Sequence, residues 1–221
     1  MDIYLNQKQQ WGYRADYDHD DCFFIDIKRP PRKQNRSLKN VVVLLDPGHA
    51  PDSGAVGPTG LFERQANLEL ALTLADLLIK NGAFVQWTRS GAAGISLAER
   101  VQLADTSHAD VLLSIHHNAI PEGVNPFKSR GSSVYYYHPQ SLELARRIHQ
   151  QLLKALELPD FGLYWDNLAM CRPTNMPALL LEPAFMMHPE EEMLIRSTKY
   201  RKNCARAIVK SLKQYFHEFR E

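Results

Sequence analysis

Two histidines and two carboxylates occupy places in this 221-residue sequence where chemistry is to be expected. His49 follows Asp46-Pro47-Gly48 at the end of one apolar run, His116 directly follows the apolar residues 111–115, and Glu182 directly follows Ala178-Leu179-Leu180-Leu181. If these runs are strands of one sheet, their polar followers converge on one rim, which is where ligands gather in open α/β sheets. Glu63 closes a Gly-rich loop over residues 54–60, ahead of a helix expected from about Asn67, and points at the same edge. Two imidazoles and one carboxylate can hold Zn²⁺ with a position left for water, while a further, unbound carboxylate serves as a base. The spacing itself leaves open which carboxylate binds and which acts as the base.

Each residue has a plainer role to set beside this one. A salt bridge to Arg172 would also explain a carboxylate at Glu182, where ionisation at the end of an apolar run is otherwise costly. Glu63 could merely favour a helix N-terminus, and Asp46 suits bracing the turn or a ligating histidine. His117, next to His116, points to the opposite face and is kept out of the site. His19, His108, His138, His149, His188 and His217 fall in loops, at helix ends or on exposed helix faces and are assigned no chemistry. The run Asp16-Tyr17-Asp18-His19-Asp20 opens like a calcium loop, but Asp21 stands where glycine is needed and Ile27 where glutamate is needed.

The elements that must position these residues are short apolar runs alternating with amphipathic segments. Strands are predicted over 41–45, 83–88, 111–115 and 178–181, three of them continuous enough in apolar character to be buried on both faces. Between them, residues 67–80 put Leu70, Leu74, Leu77 and Leu78 on one stripe, and Ser96-Leu97-Ala98-Glu99 is a capping box that opens another helix. Pro139 and Pro189 suit the first turns of two more, and Ala205, Ile208, Leu212, Tyr215 and Phe219 recur at helical spacing in the last. The pattern predicts an α/β fold, a mostly parallel central sheet flanked by helices on both faces, in a single catalytic domain over 41–221. Residues 1–40 read as an N-terminal extension, with a strand over 22–28 followed by a basic, proline-containing linker over 28–40.

Composition narrows the function further. Hydrophobic residues make up 44% and charged residues 23%, an ordinary globular balance. A net charge of +1 lacks the broad electrostatic footprint of a nucleic-acid binder. The three cysteines form no CxxC pair, no apolar run is long enough to span a membrane, and residues 1–10 lack the apolar stretch of a secretory signal.

Six motifs, in order, resemble the zinc-dependent N-acetylmuramoyl-L-alanine amidases, enzymes that cut peptidoglycan. They are Leu-Leu-Asp-Pro-Gly-His49, Gly-Ala-Val-Gly-Pro-Thr-Gly-Leu-Phe-Glu63, Ser-Leu-Ala-Glu-Arg100, Ser-Ile-His116-His-Asn118, Ser-Arg-Gly131 and Leu-Leu-Leu-Glu182-Pro-Ala-Phe185. The resemblance implies that His49, Glu63 and His116 are zinc ligands and Glu182 the catalytic carboxylate, with Asn118, Arg130 and Arg172 expected to hold substrate. It further implies hydrolysis of the amide between N-acetylmuramic acid and L-alanine by a metal-activated water, and a periplasmic or cell-wall location. The alternatives are a zinc peptidase acting on the stem peptide and a non-catalytic wall-binding module. Two departures stand near the metal: Ala50-Pro51 replaces the usual Gly-Gly, and His117 replaces a small residue. Only residues 119–130 separate Asn118 from Gly131, too few for the helical insertion that occludes the metal in some members, so an open cleft is expected.

Overall fold

A computed structural model describes residues 2–32, 37–121 and 123–219. Among the described residues eight strands form: β1 (Tyr13–Tyr17), β2 (Phe23–Ile27), β3 (Val42–Pro47), β4 (Phe84–Trp87), β5 (Val111–Ile115), β6 (Ser132–Tyr136), β7 (Asp160–Trp165) and β8 (Ala178–Glu182). Five helices accompany them: α1 (Glu63–Lys80), α2 (Leu97–Thr106), α3 (Pro139–Leu156), α4 (Pro189–Ile195) and α5 (Thr198–Phe219). The central sheet runs β4-β3-β5-β8-β6-β7, parallel throughout except where β6 meets β8.

Side chains alternate across these strands and so divide the interior in two. Val43, Leu45, Val111, Leu113, Ile115, Leu179 and Leu181 pack with Leu70 and Leu74 of α1, Leu144 and Ile148 of α3, and Ile208 and Leu212 of α5. Leu44, Leu112 and Ala178 face the other way, onto Ala104 of α2 and onto Met170 and Met176. The expected mostly parallel sheet with helices on both faces is therefore the observed architecture, extended by two strands the sequence pattern did not indicate. β6 opens with two serines and β7 carries Gly162 within it, so neither shows a continuous apolar run. The first helix also begins earlier than expected. It starts at Glu63 rather than near Asn67, after Phe62, whose side chain makes no capping bond.

Residues before β3 are tied to the layers around the central sheet. β1 and β2 form an antiparallel hairpin, and the expected strand over 22–28 is its second half. Trp11 is wholly buried between the rings of Tyr215 and Phe216, at centroid distances of 5.3 and 5.4 Å. Leu38 is likewise buried, while Lys33 and Arg36 of the basic linker lie outside the described residues. Trp11→Ala should therefore cost about 3–5 kcal/mol. Urea unfolding checks this as a lower midpoint at unchanged slope.

Candidate metal centre

Parallel strands that end at one level deliver their next residues side by side. β3, β5 and β8 do this: the Gly48 N–H donates to Ile115 O, and the His116 N–H to Leu181 O, each at 2.9 Å. His116 and Glu182 continue the alternation of Leu112 and Ala178, so both lie on the α2 side of the sheet. His117 takes the opposite side, as its parity requires. There its Nδ1 meets Asn67 Oδ1 at 2.8 Å and its Nε2 meets Tyr200 Oη at 3.1 Å. Complete burial pushes that imidazole down to about 4.

Glu63 joins the two histidines. One of its oxygens lies 2.9 Å from His49 Nε2 and the other 3.0 Å from His116 Nδ1, with the imidazole rings edge to face at 4.9 Å. Burial opposes ionisation of Glu63, but hydrogen bonds from His116 and His49 outweigh it and hold the carboxyl far below its usual range. His49 Nδ1 in turn meets Asp52 Oδ1 at 2.7 Å, the kind of outer partner that fixes a ligating imidazole's tautomer. Asp52 was not among the expected residues, and its place three positions beyond His49 is the sequence signal that could have found it.

These residues fit a metal ion. One nitrogen from each histidine and one Glu63 oxygen lie within 4.8 Å of one another, a borderline donor set that suits Zn²⁺. The backbone is cut away around them, since a Cβ at Gly48 would sit 2.1 Å from His116 Nε2 and one at Gly54 would sit 2.6 Å from His49 Cδ2. Asp18, His19 and Asp20 form a second grouping, fully exposed on the β1–β2 turn.

Glu182 stands opposite Ser133 of the antiparallel neighbour β6. Ser133 Oγ donates to Glu182 at 3.3 Å, and Asn118 Nδ2 donates to Ser133 Oγ at 3.4 Å. Burial raises the Glu182 carboxyl, with His116 pulling it back and Glu63 pushing it further up. Asn118 thus stands beside Glu182, whereas the two expected arginines are placed elsewhere. Arg130 pairs with Glu190 and Glu191 at 3.1 Å each. Arg172 is exposed, and among the described residues no ion pair joins it to Glu182.

The turn that presents His49 is held by buried arginines. His49 and Ala50 both have positive φ, at 63° and 64°, which costs an L-residue about 1–3 kcal/mol each. Arg100 donates to Pro47 O at 2.9 Å, to Ala50 O at 2.9 Å and to His49 O, while Arg89 donates to Pro47 O at 2.8 Å and Gly48 O at 2.9 Å. Asp46 balances Arg100 at 2.6 Å and also accepts from Thr88 and Ser114. It braces the turn, one of the two roles expected of it, and does so through Arg100.

Two buried carboxylates of α4 secure the surrounding loops. Glu192 accepts from the Thr59 N–H at 3.0 Å and from its hydroxyl at 2.8 Å, and Gly57 leaves it room. Glu191 accepts from the N–H groups of Gly131 and Phe185 at 3.2 and 2.8 Å. His149 lies on the inward face of α3 and not on an exposed helix face, with its Nε2 3.0 Å from Asp160, and His188, at the N-terminal end of α4 as expected, is buried too.

The open α/β sheet thus carries at its carboxyl edge a His-Glu-His cluster that could hold a metal ion, with a buried glutamate alongside. Residues 43–214 match the family described as N-acetylmuramoyl-L-alanine amidase, and the chain belongs to that family. It is similar to the "Probable cell wall amidase LytH" of Staphylococcus epidermidis, 33% identical over 195 residues, covering 87% of this chain and 64% of that protein. The chain thus spans less than two thirds of the length of that relative. Among solved structures, the N-acetylmuramoyl-L-alanine amidase from Clostridium difficile 630 shares 34% identity at a TM-score of 0.74, covering 79% of this chain and 96% of that one. The catalytic domain of CwlV from Bacillus (Paenibacillus) polymyxa var. colistinus shares 32% at 0.73, covering 79% and 97%.

Arg100→Lys keeps the charge but loses the fork that reaches the Pro47, His49 and Ala50 carbonyls. Leaving buried carbonyls unpaired should cost about 2–4 kcal/mol, measured as a fall in thermal unfolding temperature against the parent protein.

Proposed function

We propose that this chain is a zinc-dependent amidase that hydrolyses the amide between the lactyl group of N-acetylmuramic acid and L-alanine in peptidoglycan. The observation that carries this reading is the Glu63 carboxylate bridging His49 and His116, with Glu182 on the same sheet face, in a chain of the amidase family. His49, Glu63 and His116 would hold Zn²⁺, with Glu182 left unbound. When bound there, the ion supplies a Lewis acid that polarises the amide carbonyl and makes water more acidic.

The chain's own residues do the rest. Glu182 accepts the proton of the attacking water and returns it to the departing amine nitrogen. Burial readies it for the first step, because a carboxyl raised above its ordinary range is a better proton acceptor than an exposed one. Ser133, and Asn118 behind it, orient the Glu182 oxygens, and Asn118 is also the expected substrate-holding residue nearest the reacting groups. Asp52 holds the His49 ring so that its Nε2 faces the ion. Residues 41–221 form the catalytic unit in this reading, residues 1–40 its extension, and the substrate places the enzyme in the periplasm or cell wall. No described helix is long and apolar enough to cross a membrane.

Digestion of purified peptidoglycan should release peptides with new L-alanine amino termini; new termini within the stem peptide would instead make the protein a peptidase. His49→Ala and His116→Ala should each abolish both zinc content and turnover, whereas Glu182→Gln should lose at least a hundredfold in kcat yet keep its zinc, as metal analysis of the purified variants would show. Zinc loss in Glu182→Gln contradicts this division of roles. The base must be ionised, and burial lifts its carboxyl above the ordinary range, so kcat/KM should fall as the pH drops through a value above about 4.5. A pH–rate profile measures that limb.

A further inference from the structure

A groove of about 1340 Å³ opens between α3 and α5 at the C-terminal end of α1, and it shares no lining residue with the metal centre. The two helices run antiparallel there. Arg147 meets Glu218 at 2.8 Å toward one end, while Lys154, Asn203 and Arg206 line a smaller hollow, about 270 Å³, toward the other. Gln151, Arg206 and Lys210 line both hollows, which makes them one continuous trough.

Charge in this trough is one-sided. Six cations, Arg146, Arg147, Lys154, Arg206, Lys210 and Lys213, face two carboxylates, Glu143 and Glu218. Both carboxylates are already held, Glu143 by Arg146 and Arg147 at 3.0 and 2.8 Å, and Glu218 by Arg147. Among the described residues no ion pair reaches Lys154, Arg206, Lys210 or Lys213. Arg206, Lys210 and Lys213 follow one another at four and three residues, which puts them on one face of α5 over about 10 Å. Like charges so spaced repel one another, and the helix dipole favours cations only in the last turn, which lies beyond them. A chain with a net charge of only +1 therefore concentrates unpaired cations on one strip. The basic linker joins it: the Leu38 N–H donates to Asn81 O at 2.9 Å, and Lys213 Nζ donates to Asn81 Oδ1 at 3.2 Å, so the exposed Lys39 follows on at the end of the trough.

We propose that this trough binds a linear phosphate polymer, a function separate from hydrolysis and independent of the amidase reading. A row of Lys and Arg complements a chain that carries an anion in every repeat, and the Arg206 fork matches phosphate oxygens two at a time. The amides of Gln150, Gln151 and Gln214 add donors between the cations. Shape argues against a bilayer, because the cations line a concavity and no large exposed apolar side chain stands among them to enter the lipid. Composition argues against single-stranded nucleic acid, since among the described residues no Phe, Tyr or Trp lines the trough for a base to stack on. A polymer held there fastens the protein while leaving the carboxyl edge of the sheet free.

The test uses sodium polyphosphate, titrated calorimetrically into the whole protein. The wild type should bind it, and roughly tenfold or more weakly when the salt concentration rises fourfold, because each ion pair releases counterions. Replacing two exposed cations together, Arg206→Gln with Lys210→Gln, should weaken binding by roughly tenfold or more. Lys154→Gln, across the trough on α3, should weaken it by about twofold or more, so that the loss does not rest on α5 alone. Arg14→Gln with Lys128→Gln removes the same charge from exposed positions elsewhere and should stay within about twofold of the wild type. Failure of the wild type to bind, or an equal loss in the two double variants, overturns the proposal. So does a preference, at equal charge, for poly-L-glutamate, single-stranded DNA or phosphatidylglycerol vesicles over polyphosphate.

Discussion

A carboxylate buried at the start of a helix must be satisfied from every side, and Glu63 is the point on which the site depends. Besides the two imidazoles, it accepts from the Ala55 N–H at 3.0 Å, the His117 N–H at 3.2 Å and Asn67 Nδ2 at 3.2 Å. These donors come from the Gly-rich loop, the exit of β5 and the next turn of α1. Ionised, Glu63 therefore ties three segments together; neutral, it would leave several buried donors without an acceptor. The same geometry that removes the cost of burying the charge assembles two nitrogens and an oxygen around one point in space.

Support for that point arrives in layers from unlike parts of the chain. His117, wrong in parity for the metal, spans from Asn67 to Tyr200 and so locks α1 against α5 behind Glu63. Arg100 and Arg89 hold the left-handed turn of His49 and Ala50 by its carbonyl oxygens, with Asp46 as counter-charge. Glu191 and Glu192 reach back from α4 to fix the loops on either side. A mutation in any of these acts on the centre without touching an ion or a substrate, because the packed interior passes on small displacements.

The legible parts of the sequence were those where one local rule decides the outcome. Residues 111–115, apolar but for Ser114, form a strand buried on both faces, and the Ser96 capping box opens α2 as expected. Side-chain parity at a strand end separates His116 from His117. What could not be read depended on tertiary partners. Phe62 offers no capping side chain to mark the start of α1. Glu191 and Glu192 are fully buried, because backbone N–H groups of loops distant in sequence donate to them. Arg130, read as a substrate contact, is drawn to that same acidic turn.

X-ray absorption at the zinc edge of the metal-loaded protein tests the centre most directly. A first shell of nitrogen and oxygen at about 2.0–2.1 Å, with scattering from two imidazoles, is the predicted result. A sulfur ligand, or a shell with one imidazole or none, would contradict the account.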